Sequence, residues 1–225
     1  EVTAKGAPLE VVPSHSEMYL CCITHHTYCL NGIDKHTNQP TKRTVPMTEL
    51  TLDSYKQAVI NADREYYYTP QEVGEAIRKI YDKHASAKTR GRYRALIVIH
   101  NLSYEVNNCL VNTSFFTELV QQGKLAYLSN NAANSYKSME LLSSYKYTRK
   151  GEQTVTTYPA VYIRDTWKLT GKSIKALGKA HGYPKLDYEY DGIRHKEDLT
   201  AKDYNYNARD TEIALLGLYD ALCQY

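Results

Sequence analysis

The sequence predicts an α/β fold with a mixed β-sheet flanked by helices and an inserted β-hairpin, on three observations. A short apolar run, Ala95 to Ile99, lies between Arg94 and His100-Asn101, as a buried strand covered on both faces does when it ends at a ligand-binding sheet edge. Apolar residues recur at helical spacing after Thr69 and again after Asp203, with strand-like stretches between them. The resulting order (strands, helix, strand, helix, hairpin, helix, helix) suits helices packed on a sheet of both parallel and antiparallel strands.

A chain of 225 residues can bury one substantial core, so residues 1–225 are expected to form a single domain. The net charge of +3 and pI near 8.4 permit a nucleic-acid partner without arguing for one. Five Cys, at 21, 22, 29, 109 and 223, show no repeated spacing, which disfavours a disulfide framework and fits a reducing compartment. No apolar run approaches the roughly 20 residues that span a bilayer, and the N-terminus lacks signal-peptide character. The expectation is therefore a soluble intracellular protein with no membrane partner. Tyr occurs 22 times against two Phe, so phenol rings fill places where other chains use Phe, and some can stack on bases.

Residues 1–12 leave room only for a short strand near the terminus. Glu17 to Leu30 is β-rich, with Met18, Leu20, Cys22 and Tyr28 alternating onto one face, and predicts a central strand or a hairpin turning at Asn31-Gly32, its partner strand preceding Pro46. Cys21, Cys22, His25, His26 and Cys29 sit inside this one strand-like run, whereas structural zinc sites take two separated ligand pairs from turns, so a buried strand is the better reading. Thr69-Pro70-Gln71-Glu72 forms a capping box with Pro at the first helical position, and Val73, Ile77, Ile80 and Tyr81 follow on one face of a helix ending near His84. The basic stretch 85–94 leads into the Ala95 strand; it is either a solvated connection or a phosphate contact.

Ser103 can cap a helix beginning near Tyr104, and apolar residues continue at helical spacing from Val106 to Gln122, with Gly123 as the stop. From Lys124 to Arg164 the pattern is strand-like, with a hairpin about Lys150-Gly151. Lys137, Tyr145, Lys146, Tyr147, Arg149 and Lys150 interleave cations and aromatics there, which suits either a single nucleic-acid strand or a plain exposed hairpin. Val161-Tyr162-Ile163 leads to a strand end at Asp165-Thr166-Trp167, and Ser173 to His181 reads as a helix stopped by Gly182. Lys185 to Asp198 is a polar loop, and Thr200 with Asp203 caps a last helix expected to bury Leu215, Leu218 and Leu222.

Two places carry chemistry. Glu105 follows the strand-to-helix turn after His100, which puts its carboxylate near the C-terminal edge of the sheet. Tyr206 and Asp210 are four residues apart on a helix, so phenol and carboxylate share a face and can reach one water or metal ion. Oxygen donors from separate elements, without a Cys/His set, call for Mg2+ or Mn2+.

These motifs resemble the 3′-5′ exonuclease domain of family B DNA polymerases, in particular the protein-primed polymerases of phages and linear plasmids, whose fold is similar to ribonuclease H. His100-Asn101-Leu102-Ser103-Tyr104-Glu105 resembles the second exonuclease motif, and Tyr206 to Asp210 the third, Tyr-x-x-x-Asp. The segment from Asp165 to Tyr190 is similar to one that supplies a strand-end Ser-Leu pair, here Thr166-Trp167, and a catalytic Lys, best matched by Lys185. Glu1-Val2-Thr3 looks like the end of the first motif, Asp-x-Glu-Thr, cut after its Asp, and residues 1–225 are expected to hold the exonuclease-like domain without the polymerase domain. The second motif ends in Glu105 where the family has Asp, one methylene longer.

The resemblance implies removal of nucleoside 5′-monophosphates from the 3′ end of single-stranded DNA in a two-metal site of Mg2+ or Mn2+. Glu1, Glu105 and Asp210 are the implied metal ligands, Tyr206 the group that orients water, and Lys185 the cation that offsets negative charge. Asn101, Leu102, Tyr104, Thr166 and Trp167 are the implied contacts to the terminal nucleotides. A polymerase domain beyond residue 225 is the implied partner, and the cytoplasm of a phage-infected cell, or a mitochondrion for a plasmid-encoded chain, the implied location. Two alternatives stand: a catalytically weakened domain that binds single-stranded nucleic acid, which Glu105 favours, and a free-standing exonuclease acting on RNA.

Overall fold

In a computed structural model the described residues are 21–25, 51–85, 94–129, 136–189 and 195–222. Glu1, the zinc-reading residues His26 and Cys29, the Asn31-Gly32 turn and most of the basic stretch before Arg94 lie outside them, as do the side chains of Cys21, Cys22, His25 and Leu222. The class is α/β, with a mixed sheet flanked by helices. Strands β3 (Ala95–Ile99), β6 (Glu152–Asp165), β5 (Tyr136–Arg149) and β4 (Leu125–Ser129) form one mixed sheet in that order. A two-stranded sheet pairs β1 (Cys21–His25) with β2 (Asp63–Tyr67).

The long pair β5 and β6 is an antiparallel hairpin, turned by Lys150 and Gly151 with φ of +51° and +85°. Both turn residues are left-handed, the geometry that matches strand twist in a tight hairpin and that Gly supplies without strain. Tyr145 and Tyr147 are half-buried on the core-facing side while Lys146 is exposed, so the alternation of cations and rings follows from the strand period of two. β3 runs parallel to β6 with Ile99 opposite Asp165, so both strands end at the same sheet edge. Among the described residues β3 is an edge strand with Leu96 45% exposed, not a strand covered on both faces.

Helix α1 (Leu52–Ile60), with a Thr51/Ser54 capping box, and strand β2 were not anticipated; the partner strand expected before Pro46 lies outside the described residues. Helix α2 (Pro70–Ala85) starts and stops as predicted, with Glu72 Oε2 accepting from the backbone N–H of Tyr68 at 2.7 Å and Thr69 at 3.2 Å. The expected single helix to Gln122 is instead α3 (Leu102–Asn108), a 3-10 turn at Leu110–Asn112 and α4 (Ser114–Gln121). The break lies at buried Thr113, whose Oγ1 donates to Leu110 O at 2.9 Å and accepts from Phe116 N at 3.3 Å, capping a fresh helix. Gly74 of α2 packs on this residue so tightly that a Cβ would lie 2.7 Å from Thr113 Cβ.

The main core joins α2, α3 and α4 to the sheet through Ile77, Leu102, Phe115, Phe116, Met139 and Ile163. Short α5 (Thr166–Thr170), α6 (Ile174–Ala180) and the long α7 (Ala201–Leu222) complete the order, and α7 packs against β1, β3, α1, α5 and α6. The buried apolar residues of α7 include Tyr206, Ala208, Ile213, Ala214 and Leu216; Leu215 and Leu218, expected inside, are only partly buried.

Candidate active site

The site is assembled where β3 and β6 end together. Asp165, the last residue of β6 and 1% exposed, accepts from the backbone N–H of Asn101 and Leu102, both at 3.1 Å, and from Trp167 at 2.8 Å. One carboxylate thus satisfies the open amides of two successive chain turns, capping α3 and α5 together. Asn101 is left-handed at φ +62°, a conformation Asn tolerates better than most residues, and its side chain caps nothing. The cap expected of Ser103 is therefore absent: Ser103 Oγ instead exchanges hydrogen bonds with the backbone of Tyr136.

Asp210 reaches this edge from α7, one turn after Tyr206. Lys185 Nζ donates to Asp210 Oδ2 at 2.7 Å and lies 4.8 Å from the centre of the Tyr206 ring. Asp210 Oδ1 is buried and has no hydrogen-bond partner. Burial pushes the Asp210 carboxyl above its ordinary range, while the Lys185 hydrogen bond and charge, the His100 ring and the Tyr206 hydroxyl act against that shift. His100 is held by Thr166 Oγ1 at 3.1 Å and stacks on Trp167. Burial lowers the His100 pKa, Asp165 and Asp210 oppose the change, and Lys185 adds to it. His100, Lys185, Tyr206 and Asp210 are thus one electrostatic cluster.

Lys185 is delivered by the loop after α6. Gly178 lets that loop fold back, since a Cβ there would sit 2.6 Å from Tyr183 O and 3.1 Å from Lys185 N. Arg209 donates to Pro184 O at 2.7 Å and Tyr183 OH to the buried Glu212 at 2.6 Å, so α7 fixes the two residues before Lys185. Further on, Tyr188 stacks on Tyr206 with ring centres 4.5 Å apart and donates to Asp203, whose Oδ2 also caps α7 through Thr200 N at 2.8 Å. The polar loop expected from Lys185 onwards is therefore seated on Tyr206.

Other anticipated residues divide. Trp167, stacked on His100, is 43% exposed, and Tyr104, in the first turn of α3, is 49% exposed. Leu102 and Thr166, expected to touch nucleotides, are both 0% exposed: Leu102 belongs to the core and Thr166 positions His100. Glu105 lies on α3, and burial alone raises its carboxyl pKa, with no neighbouring charge contributing. It also helps to push the buried Cys109 thiol up to about 11. Among the described residues no group of three His, Cys, Asp or Glu side chains is arranged to hold a metal ion. The orphaned Asp210 Oδ1 is nevertheless an oxygen donor of the kind hard divalent cations take.

His100, Asp165 and Tyr188 are the residues that sequence reasoning left without a role. The signal for the first two was their position at paired strand ends, which needed the parallel register of β3 on β6; no local signal marked Tyr188.

No protein-family model matches the chain, and no curated protein matches it. Among solved structures it is similar to phi29 DNA polymerase complexed with primer-template DNA and incoming nucleotide substrates, at 16% identity and a TM-score of 0.44. It is likewise similar to phi29 DNA polymerase complexed with single-stranded DNA, at 15% identity and 0.45. Each match covers 72% of this chain and 26% of the polymerase, so the chain spans about a quarter of that protein's length.

Proposed function

We propose that the chain is a 3′-5′ exonuclease domain of the proofreading type, part of or derived from a family B DNA polymerase, that removes nucleoside 5′-monophosphates from single-stranded DNA 3′ ends. The observation that carries this reading is the Asp210 carboxylate: one oxygen is held by Lys185, the other is buried and unpaired, and Tyr206 and His100 stand beside it. Glu1, Glu105 and Asp210 are the residues to hold Mg2+ or Mn2+, which when bound supplies activation of water and neutralisation of charge on the leaving 3′ oxygen. The Tyr206 hydroxyl orients the attacking water. Lys185, fixed through Tyr183 and Pro184, offsets the charge that develops at phosphorus, and fixed charge of this kind costs no reorganisation during the reaction. Asn101, Tyr104 and Trp167 hold the terminal nucleotides, the two exposed rings by stacking. A polymerase domain after residue 225 is the partner this reading implies, and the cytoplasm its compartment; among the described residues no helix is long and apolar enough to cross a membrane.

A second reading, a domain that binds single strands without cutting them, is favoured by Glu105, whose carboxyl is desolvated and has no charged neighbour contributing to its shift. Digestion of 5′-labelled single-stranded DNA with Mg2+ or Mn2+ separates the two. A ladder shortening from the 3′ end and abolished by Asp210→Ala supports the nuclease. Retained binding with no ladder supports the binding module.

A further inference from the structure

A second ligand-binding feature lies apart from the carboxylate cluster, where β2, the start of α2 and the 3-10 turn Lys196–Asp198 meet in an open groove of about 390 Å³. That volume falls within the range of about 300–1,000 Å³ that ligand sites occupy. Tyr66, Tyr67 and Tyr68, all half-buried, line the groove; Tyr66 and Tyr68 meet Tyr204 on one side of the strand, while Tyr67 packs toward the main core. Their rings are held before any ligand arrives. Tyr66 packs edge-on against Tyr204 with centres 5.0 Å apart, the Tyr68 and Tyr204 hydroxyls share a hydrogen bond of 3.2 Å, and Tyr67 OH donates to Glu65. A fixed aromatic wall loses little freedom when a flat ligand stacks on it.

The charges in the groove are sorted. Its carboxylates are engaged within the protein: Glu72 caps α2 through Tyr68 N and Thr69 N, and Glu75 pairs with Arg78 at 3.5 Å. Its two ammonium groups are not: Lys79 and Lys196 are exposed and form no ion pair among the described residues. Lys196 Nζ instead lies 4.0 Å from the centre of the Tyr68 ring, a contact that positions the cation without neutralising it. Two rings on one side of the strand, Tyr66 and Tyr68, beside unneutralised ammonium groups match the alternating bases and phosphates of a single nucleic-acid strand.

We propose that this groove is a second binding site for single-stranded nucleic acid, with bases stacked on Tyr66 and Tyr68 and phosphates facing Lys79 and Lys196. The proposal extends the nucleic-acid reading above but needs no cleavage, so it is tested in EDTA. Anisotropy of fluorescein-labelled dT4 and dT16 is measured with the full chain, with Lys79→Ala/Lys196→Ala and with Tyr66→Ala. The expected result is tighter binding of dT16 than of dT4 by the unaltered chain. In the lysine variant dT16 weakens and the slope of log affinity against log salt falls by about 1.4, as for two lost phosphate contacts on a single strand. Tyr66→Ala weakens dT16 by about fivefold or more. Because Tyr66 packs on Tyr204 and its loss can disturb folding, the exposed lysine pair is the deciding variant. Unchanged dT16 affinity and salt slope in that variant overturn the proposal, as does equal competition by a 16-residue poly-Glu peptide, which would make the groove an acidic-peptide site. Failure of the nuclease reading would show separately, as intact DNA when Mg2+ or Mn2+ is added.

Discussion

Replacing Lys185 with alanine removes the ammonium that Asp210 Oδ2 accepts from at 2.7 Å, beside an Oδ1 that is already buried without a hydrogen-bond partner. At an effective dielectric constant of about 20, unit charges at that separation attract by about 6 kcal/mol, most of which offsets desolvation of the two groups. Both side chains are under a third exposed, at 29% and 28%, so the pair is neither a free surface bridge nor fully interior. A charged hydrogen bond in this setting contributes about 2 kcal/mol, which for a chain of this length lowers the melting temperature by about 4–8 °C. The pH dependence gives the prediction its edge. The folded pKa of Asp210 is raised above its ordinary 3.8, so its contribution to stability is present below the unfolded pKa and fades as pH rises through the folded value. Loss of Lys185 raises the folded pKa further, so the penalty is small near about pH 4 and full near about pH 7. Urea denaturation at both pH values, with Asp210→Asn and the double variant closing a cycle, should give coupling of about 1–2 kcal/mol at neutral pH only. Additive effects, equal at the two pH values, would show that Lys185 and Asp210 do not form the pair on which the site is built.

Asp165→Ala strips the cap from α3 and α5 together and should cost about 3 kcal/mol or more, with protease sensitivity rising at residues 100–104 and 166–170; a loss under about 1 kcal/mol would contradict the shared cap. Glu105→Gln removes a carboxylate whose pKa burial has raised. It should therefore stabilise the chain at neutral pH and be neutral in acid, while abolishing 3′-end shortening. A uniform effect on stability at all pH values would mean that the Glu105 carboxyl is not desolvated.

Much of the fold was legible because its signals are local. The Thr69/Glu72 and Thr200/Asp203 boxes, the Lys150-Gly151 turn and the Gly123 and Gly182 stops each determine backbone geometry within a few residues, and each stands where expected. What failed depended on packing. The break at Thr113 follows from its burial under Gly74, and the edge position of β3 follows from strand order; neither leaves a periodic trace. The site was legible in the same proportion. Tyr206 and Asp210 share a helix face by spacing alone, and the structure brings Lys185 to them, although that contact depends on the fold-back at Gly178. A motif states order along the chain and not the direction a side chain takes: Thr166 and Leu102, expected at the nucleotides, both turn inward. In the sequence Asp165 reads only as a strand end, because its hydrogen bonds to Asn101 and Leu102 cross from β6 to the turn after β3, a pairing created by the parallel register.

Binding of Mn2+ to the full chain, followed by the loss of its free-ion electron paramagnetic resonance signal, tests most directly whether the buried Asp210 oxygen is a cation ligand. The account predicts Mn2+ bound by the unaltered chain, competition by Mg2+, and loss of that binding in Asp210→Asn with the fold intact by circular dichroism. Equal Mn2+ binding by the two proteins, or none by either, would contradict it.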